Sequence, residues 1–182
     1  EGSDGAVEDR VFDKVLVSIG RRPNSSGLNL QATDVEVNDK GFVVVDAQRR
    51  TAEPTIYAIG DLVGDPMLAH KASHEGRVAV EAIAGRKVAF EPNAIPAVVF
   101  TDPELAWTGI TEAEAEAKGI EVEIGKFPWT ASGRASTLHR TDGLTKILSE
   151  PGTGRVLGVG IVGSGAGELI TQGTLAMEMG AT

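Results

Sequence analysis

The sequence predicts a mixed architecture, an α/β part followed from about residue 92 by an α+β unit built on an antiparallel sheet, and three observations predict it. The apolar run Thr55-Ile-Tyr-Ala-Ile59 delivers Gly60-Asp61 into a turn ahead of a helix-like stretch, the strand-turn-helix order of α/β folds. From Glu91-Pro-Asn-Ala-Ile-Pro96 onward the pattern changes to short strands and two helices. Within that second unit, Pro151-Gly-Thr-Gly154 separates two apolar runs and signals an antiparallel hairpin.

In chain order, Val15-Leu-Val-Ser-Ile19 is a short apolar run ending at Gly20, the pattern of a buried parallel strand. Arg21-Arg-Pro-Asn24 breaks it, which puts a domain crossing near Pro23. Phe42-Val-Val-Val45, bounded by Asp39-Lys-Gly41 and Asp46, and Thr55 to Ile59 predict two further strands. A strand ending at Gly60-Asp61 lets the backbone turn sharply and holds a carboxylate at the carboxyl edge of a sheet, where α/β sheets bind ligands. A helix follows from about Leu68 to Ala84, with a small-residue face of Ala69, Ala72, Gly76, Ala79 and Ile83 and with Gly85 as its C′ residue. Gly76 in mid-helix costs about 1 kcal/mol relative to Ala, so close approach by another backbone is expected there. The helix start directs unpaired N–H groups and a partial positive charge at whatever lies before it. That dipole contributes about 0.3–1 kcal/mol when exposed and ~2 when partly buried, enough to tune a ligand but not to hold it.

In the second unit, Thr111-Glu-Ala-Glu114 reads as a capping box, with Ile110 and Ala115 as a staple, and Gly119 stops the short helix. Leu144 to Ser149 and Val156 to Val162 are the hairpin strands, and Glu168 to Met179 reads as a closing amphipathic helix.

At 182 residues, with 41% hydrophobic and 24% charged side chains, the composition is that of an ordinary globular chain. A net charge of −9 and a pI near 4.8 argue against nucleic acid or an anionic membrane as partner, because phosphate binding needs clustered Lys and Arg. No run approaches the ~20 apolar residues of a membrane span, and no basic, then apolar, leader opens the chain, so a cytoplasmic setting is expected. The chain has no cysteine, and dithiol–disulfide exchange needs a pair of them.

The segments "TIYAIGD" at 55–61 and "MLAHKASHEG" at 67–76 resemble the second flavin-binding segment of the FAD-dependent pyridine nucleotide-disulfide oxidoreductases. The likeness continues in order through "LVSIGRRPN" at 16–24, "VVFTDPELAWTG" at 98–109, "GKFPWTASGRA" at 125–135 and "GAGELI" at 165–170. Within the family it is strongest to the branch that oxidises dihydrolipoyl groups, with glutathione, trypanothione and mercuric reductases as runners-up. The resemblance implies that residues 1–22 end an NAD-binding domain, 23–91 supply the second part of an FAD-binding domain, and 92–182 form a dimerisation domain incomplete at its carboxyl end. It implies FAD and NAD as cofactors. Asp61 would then hydrogen-bond the ribityl or pyrophosphate region, Met67, Leu68, Ala69 and His70 would meet the flavin, and Gly20 would sit close to the nicotinamide dinucleotide. Expected partners are a second subunit, through residues 92–182, and the lipoyl domains of 2-oxoacid dehydrogenase complexes or of the glycine cleavage system. The family's cysteine pair and its His–Glu acid–base pair align to no residue here, so no catalytic residue is assigned. The expectation is therefore a carboxy-terminal piece of an enzyme, inactive alone and a weak FAD binder without the first phosphate loop. A different class stays open, a non-enzymatic self-associating module formed by residues 92–182.

Other signals have plainer explanations. His70 and His74 lie four apart on a helix beside Glu75, a spacing that can serve zinc, but no third ligand accompanies them and no metal is expected. Asp61 taken alone reads as a turn carboxylate, and His139 as a loop histidine. Gly158-Val-Gly-Ile-Val-Gly163 matches G-x-G-x-x-G, and Glu178 stands twenty residues beyond Gly158. That fingerprint needs its first glycine in a turn after a strand, whereas these glycines lie inside a strand and mark a bulge or close packing. Trp107, Phe127 and Trp129 are expected in a core or interface.

Overall fold

The computed structural model describes residues 9–182, so the first eight residues of the segment 1–22 lie outside it. In the second unit, the strands β1 (Ala97–Val99), β2 (Glu104–Gly109), β3 (Glu123–Pro128), β4 (Leu144–Ser149) and β5 (Val156–Gly163) form one sheet in the order β1-β2-β5-β4-β3. Every pairing is antiparallel, as the hairpin signal predicts. β5 is central, with Leu105 opposite Val162 on one side and Leu144 opposite Val162 on the other. The closing helix α4 spans Ala166–Glu178 and lies against β2 and β5. Ala106, Val159, Ile161, Ala166 and Ile170 form the core between helix and sheet, with Val98, Trp129 and Val156 packed at its margin.

Two of the three glycines of β5 answer to close packing, whereas Gly160 has open space beside it. A Cβ on Gly158 would fall 2.1 Å from the Ile110 carbonyl oxygen, and one on Gly163 would fall 2.2 Å from the Trp129 ring. The literal G-x-G-x-x-G thus belongs to strand packing, as its position inside an apolar run implies. Trp129 is pinned by its indole N–H, which donates to the Thr145 hydroxyl at 3.0 Å.

Helix α2 (Glu112–Lys118) carries the expected capping box: the Thr111 hydroxyl accepts from the Glu114 N–H at 3.2 Å, and the Glu114 carboxylate accepts from the Thr111 N–H at 2.9 Å. Gly119 ends it in the left-handed region at φ 65°. The five-residue helix α3 (Gly133–Thr137) makes a third helix in this unit where the sequence predicts two, nucleated by the Ser132 hydroxyl accepting from the Ala135 N–H at 3.3 Å.

The first part departs from the sequence-based expectation. Val15–Ile19 forms no strand: its backbone is irregular and its apolar side chains are exposed. A lone extended segment is stable only when neighbours satisfy its N–H and C=O groups and cover a face, and among the described residues none flanks it. The strands expected at 42–45 and 55–59 shrink to the isolated bridges Val37–Val43 and Arg50–Tyr57. They still bury a small core of Val35, Val43 and Ala58, flanked by Leu30, Val45, Ile56, Leu62 and Val63.

Helix α1 runs Ala69–Ile83 and closes at Gly85, whose φ is 81°. The Arg86 N–H reaches back to the Glu81 carbonyl at 3.0 Å and the Gly85 N–H to Ala82 at 2.9 Å, the pattern of a Schellman stop. Its buried face is rotated from the predicted one. Ala79 is buried as expected, but Ala69 and Ile83 face solvent, while Lys71, Glu75, Val78 and Ala82 are buried. Small size misleads here, because two charged residues that pair with each other occupy the face that meets the rest of this part. The neighbour at Gly76 is a side chain rather than a backbone, with Ile59 Cδ1 3.3 Å from the place a Cβ would take.

The segment joining the parts is tied at both ends. The Glu178 carboxylate, at the end of α4, accepts from the Asn93 N–H and Asn93 Nδ2, each at 2.9 Å, and from the Ala94 N–H at 3.2 Å. His70 Nε2 lies 2.7 Å from the Pro96 carbonyl oxygen. No helix among the described residues is long and apolar enough to cross a membrane.

Candidate functional site

The site grows from the turn after Ile59. Gly60–Leu62 is one 3-10 turn, closed by the Val63 N–H on the Gly60 carbonyl at 3.1 Å. Gly60 is required twice over: its φ is 76°, and a Cβ there would stand 3.1 Å from the Ala72 Cβ of α1. The turn presents Asp61 half exposed, with Arg21 Nη1 3.9 Å from its Oδ2. The same Arg21 nitrogen donates to the Met67 carbonyl at 2.5 Å, so one guanidinium spans the carboxylate and the approach to α1.

Leu68 occupies the N-cap of α1 with an extended backbone, and no side chain caps the helix. A leucine has no oxygen to offer, so the first-turn N–H groups are left for an acceptor beyond the helix end. Arg21 thus links a hydrogen-bond-accepting carboxylate to the approach of a helix start that no side chain caps. That arrangement fits a ligand carrying hydroxyl groups together with electron-rich or anionic atoms.

Beneath the turn lies a buried ionic network. Glu75 is fully buried, and its Oε2 accepts from the Gly60 N–H at 2.6 Å. Its Oε1 lies 3.1 Å from both Lys71 Nζ and Arg49 Nη1. Lys71 Nζ donates in turn to the Gly64 carbonyl at 3.1 Å and the Gly60 carbonyl at 3.4 Å. Arg49 reaches in from a left-handed backbone position, φ 66°, and stacks over Phe90 at 4.9 Å from the ring centre, while its Nε is buried without a hydrogen-bond partner.

Of the sequence-predicted residues, the structure gathers Asp61, Met67, Leu68, Ala69 and His70 around the turn and the helix start. Gly20 precedes Arg21 on an exposed segment, with φ 142° and open space around it. His70 and His74 diverge: His70 meets the Pro96 carbonyl, and His74 meets the Phe90 ring edge-on at 5.0 Å. His139 is a loop residue at φ 53°, next to an ion cluster in which Arg140 pairs with Asp102 and Asp142. Sequence reasoning missed Arg49, Lys71 and Glu75. The Lys71–Glu75 spacing of four is legible, but an i,i+4 pair is normally a solvated one, and its burial depends on Arg49 from outside the helix.

The fold and the site define a class. The chain belongs to the pyridine nucleotide-disulphide oxidoreductases: residues 2–76 match the pyridine nucleotide-disulphide oxidoreductase model and residues 95–182 match the model of the family's dimerisation domain. Among solved structures it is similar to LpdA from Mycobacterium tuberculosis, with a TM-score of 0.82 and 31% identity over 91% of this chain and 36% of that one. It is similar also to the HOCl-induced flavoprotein disulfide reductase RclA from Escherichia coli, with a TM-score of 0.80 and 27% identity over 89% of this chain and 38% of that one.

Several sequence relatives share one enzyme name. The chain is 49% identical to the dihydrolipoyl dehydrogenase of Vibrio cholerae over 180 residues, 99% of this chain and 38% of the relative. It is 53% identical to that of Haemophilus influenzae over 169 residues, 93% of this chain and 35% of the relative. To the mitochondrial dihydrolipoyl dehydrogenase of Sus scrofa it is 46% identical over 180 residues, 99% of this chain and 35% of the relative. The chain therefore spans little more than a third of the length of the curated relatives it matches.

Proposed function

We propose that these residues are the carboxy-terminal part of a homodimeric, cytoplasmic flavoenzyme that oxidises protein-bound dihydrolipoyl groups and reduces NAD⁺. Residues 1–22 end its NAD-binding domain, 23–91 complete its FAD-binding domain, and 92–182 form its subunit interface. The observation that carries the reading is the Arg21 guanidinium bridging the Asp61 carboxylate and the Met67 carbonyl at the approach to the uncapped start of α1. Asp61 reaches the ribityl or pyrophosphate region, accepting hydrogen bonds from the ribityl hydroxyls, and Met67, Leu68, Ala69 and His70 border the flavin, whose ring atoms the helix N-terminus favours. Gly20 lies close to the nicotinamide dinucleotide. FAD, when bound, passes two electrons between a dithiol and NAD⁺. The residues of this chain bind and orient, because none of them is a cysteine and thiol exchange falls to a cysteine pair elsewhere in the protein.

Self-association is supported by the apolar side chains that the second unit leaves exposed, among them Phe100, Phe127, Leu169, Leu175 and Met179. Lipoyl domains of 2-oxoacid dehydrogenase complexes or of the glycine cleavage system are the proposed protein partners. The relatives at 46–53% identity favour dihydrolipoyl oxidation over the glutathione- or mercuric-reductase alternatives.

The test is FAD titration of the apoprotein of the full-length polypeptide that carries these residues, followed by dihydrolipoamide-dependent NAD⁺ reduction. A hydrogen bond to a charged group contributes about 1.5–3 kcal/mol, and exposure puts Asp61 at the lower end, so Asp61→Ala raises the FAD Kd about tenfold. Reduction of oxidised glutathione in place of dihydrolipoamide oxidation would move the protein to the runner-up branch. No FAD binding at all, with dimers retained, would leave the self-associating module.

A further inference from the structure

Lys71 breaks a rule of helix electrostatics. It stands in the first turn of α1, where the macrodipole disfavours a cation, and it is buried, where a charge is retained only if paired. Local rules broken inside an otherwise consistent fold mark sites held for a purpose other than stability. What Lys71 gains is visible: Glu75 one turn on, and the carbonyls of Gly60 and Gly64, which bracket Asp61 at the start of its turn and just beyond its end. Glu75 takes the Gly60 N–H from below, and Arg49 holds Glu75 from the far side.

We propose that Lys71, Glu75 and Arg49 form a positioning clamp that fixes the Gly60–Gly64 turn, and with it the Asp61 carboxylate, in the geometry that receives the cofactor. None of the three reaches the site itself, so they are positioning residues. Their three charges leave one net positive charge beneath a turn whose ligand is anionic, which adds to the field of the α1 N-terminus. The cofactor part of the proposal rests on the flavoenzyme reading; the clamp part does not.

Lys71→Met is the informative variant. It keeps the aliphatic stem, leaves Glu75 and Arg49 as a balanced pair, and leaves the Gly60 carbonyl its Val63 donor, so the Gly64 carbonyl is the group that loses its hold. Because Lys71 and Arg49 share one carboxylate, removing Lys71 leaves Glu75 paired with Arg49 and strands no buried charge, which is the costly outcome. Glu75→Gln is the contrasting variant: it strands two buried cations and lowers the melting temperature as well. In the full-length polypeptide, two readings are taken on wild type and Lys71→Met: hydrogen exchange of the peptide covering 58–66 without added FAD, and FAD Kd by titration of the apoprotein.

The expected result is exchange at least tenfold faster in 58–66 and an FAD Kd at least tenfold higher, with the apoprotein Tm within a few degrees of wild type. Unchanged exchange in this peptide overturns the clamp. Faster exchange with unchanged FAD Kd overturns its role toward the cofactor. A Kd that rises only in step with a general loss of Tm and protection throughout the molecule reduces the network to a stability element and overturns positioning. Wild type that shows a protected 58–66 segment but no FAD affinity refutes the flavoenzyme reading, while the exchange data alone then decide the clamp.

Discussion

Ile170→Ala offers the sharpest check on how the second unit is held together. Ile170 is 1% exposed and sits in the middle of α4, against Ala106, Val159 and Ile161 of the sheet. Truncation to Ala removes three carbons from a site whose neighbours are on strands paired at both edges, so the cavity collapses poorly. Large-to-small changes of this kind cost about 2–5 kcal/mol, and the rigid surroundings place this one at about 3–4. With a urea m-value of roughly 2–3 kcal/mol/M, the midpoint moves down by about 1–2 M. Trp129 packs at the margin of the same core, so its fluorescence reports the transition directly. Ile170→Val, which removes one methyl group, gives the graded control at about 0.5–1.5 kcal/mol. A loss below about 1 kcal/mol for Ile170→Ala, at unchanged m-value, would refute the assignment of this helix–sheet contact as the core.

Gly163→Ala puts a methyl group into the Trp129 ring at a φ of 152°, so it is expected to destabilise by more than the ~1 kcal/mol of an ordinary glycine change and to shift the Trp129 emission; near-neutral unfolding would refute the close packing. The backbone N–H of Thr111, then its hydroxyl, holds the Glu114 carboxyl below its ordinary range. A depressed carboxyl stabilises the fold above the unfolded-state value of about 4.3 and loses that contribution as pH falls through the lower folded value. The stability gap between wild type and Glu114→Gln is therefore expected to be present at pH 7, small because the group is exposed, and to close in acid; a gap that widens in acid would contradict the sign.

The legible parts of this molecule are those written in local chemistry. Thr111 and Glu114 announce their helix because hydroxyl and carboxylate reach only the N–H groups a few residues away. Leu144–Ser149 and the run from Val156 announce a hairpin because the intervening turn leaves antiparallel pairing as the short route. Gly60-Asp61 before an uncapped helix is likewise a local arrangement, and the candidate site was visible from it.

What the sequence could not give by periodicity was the partner of each face. Val15–Ile19 has the residues of a buried strand, yet burial needs a neighbour, and apolar character alone does not supply one. The face of α1 followed the same logic in reverse: Ala69 and Ile83 are apolar and exposed, whereas Lys71 and Glu75 are charged and buried. Only tertiary structure decides that, because the desolvation of Glu75 is offset by Lys71, Arg49 and the Gly60 N–H together, and Arg49 arrives from 26 residues away. Sequence by itself determined the caps, the turns, the antiparallel unit and the carboxylate at the turn; the fold decided which charges go inside, because the free energy of a buried charge depends on groups that are neighbours in space and strangers in sequence.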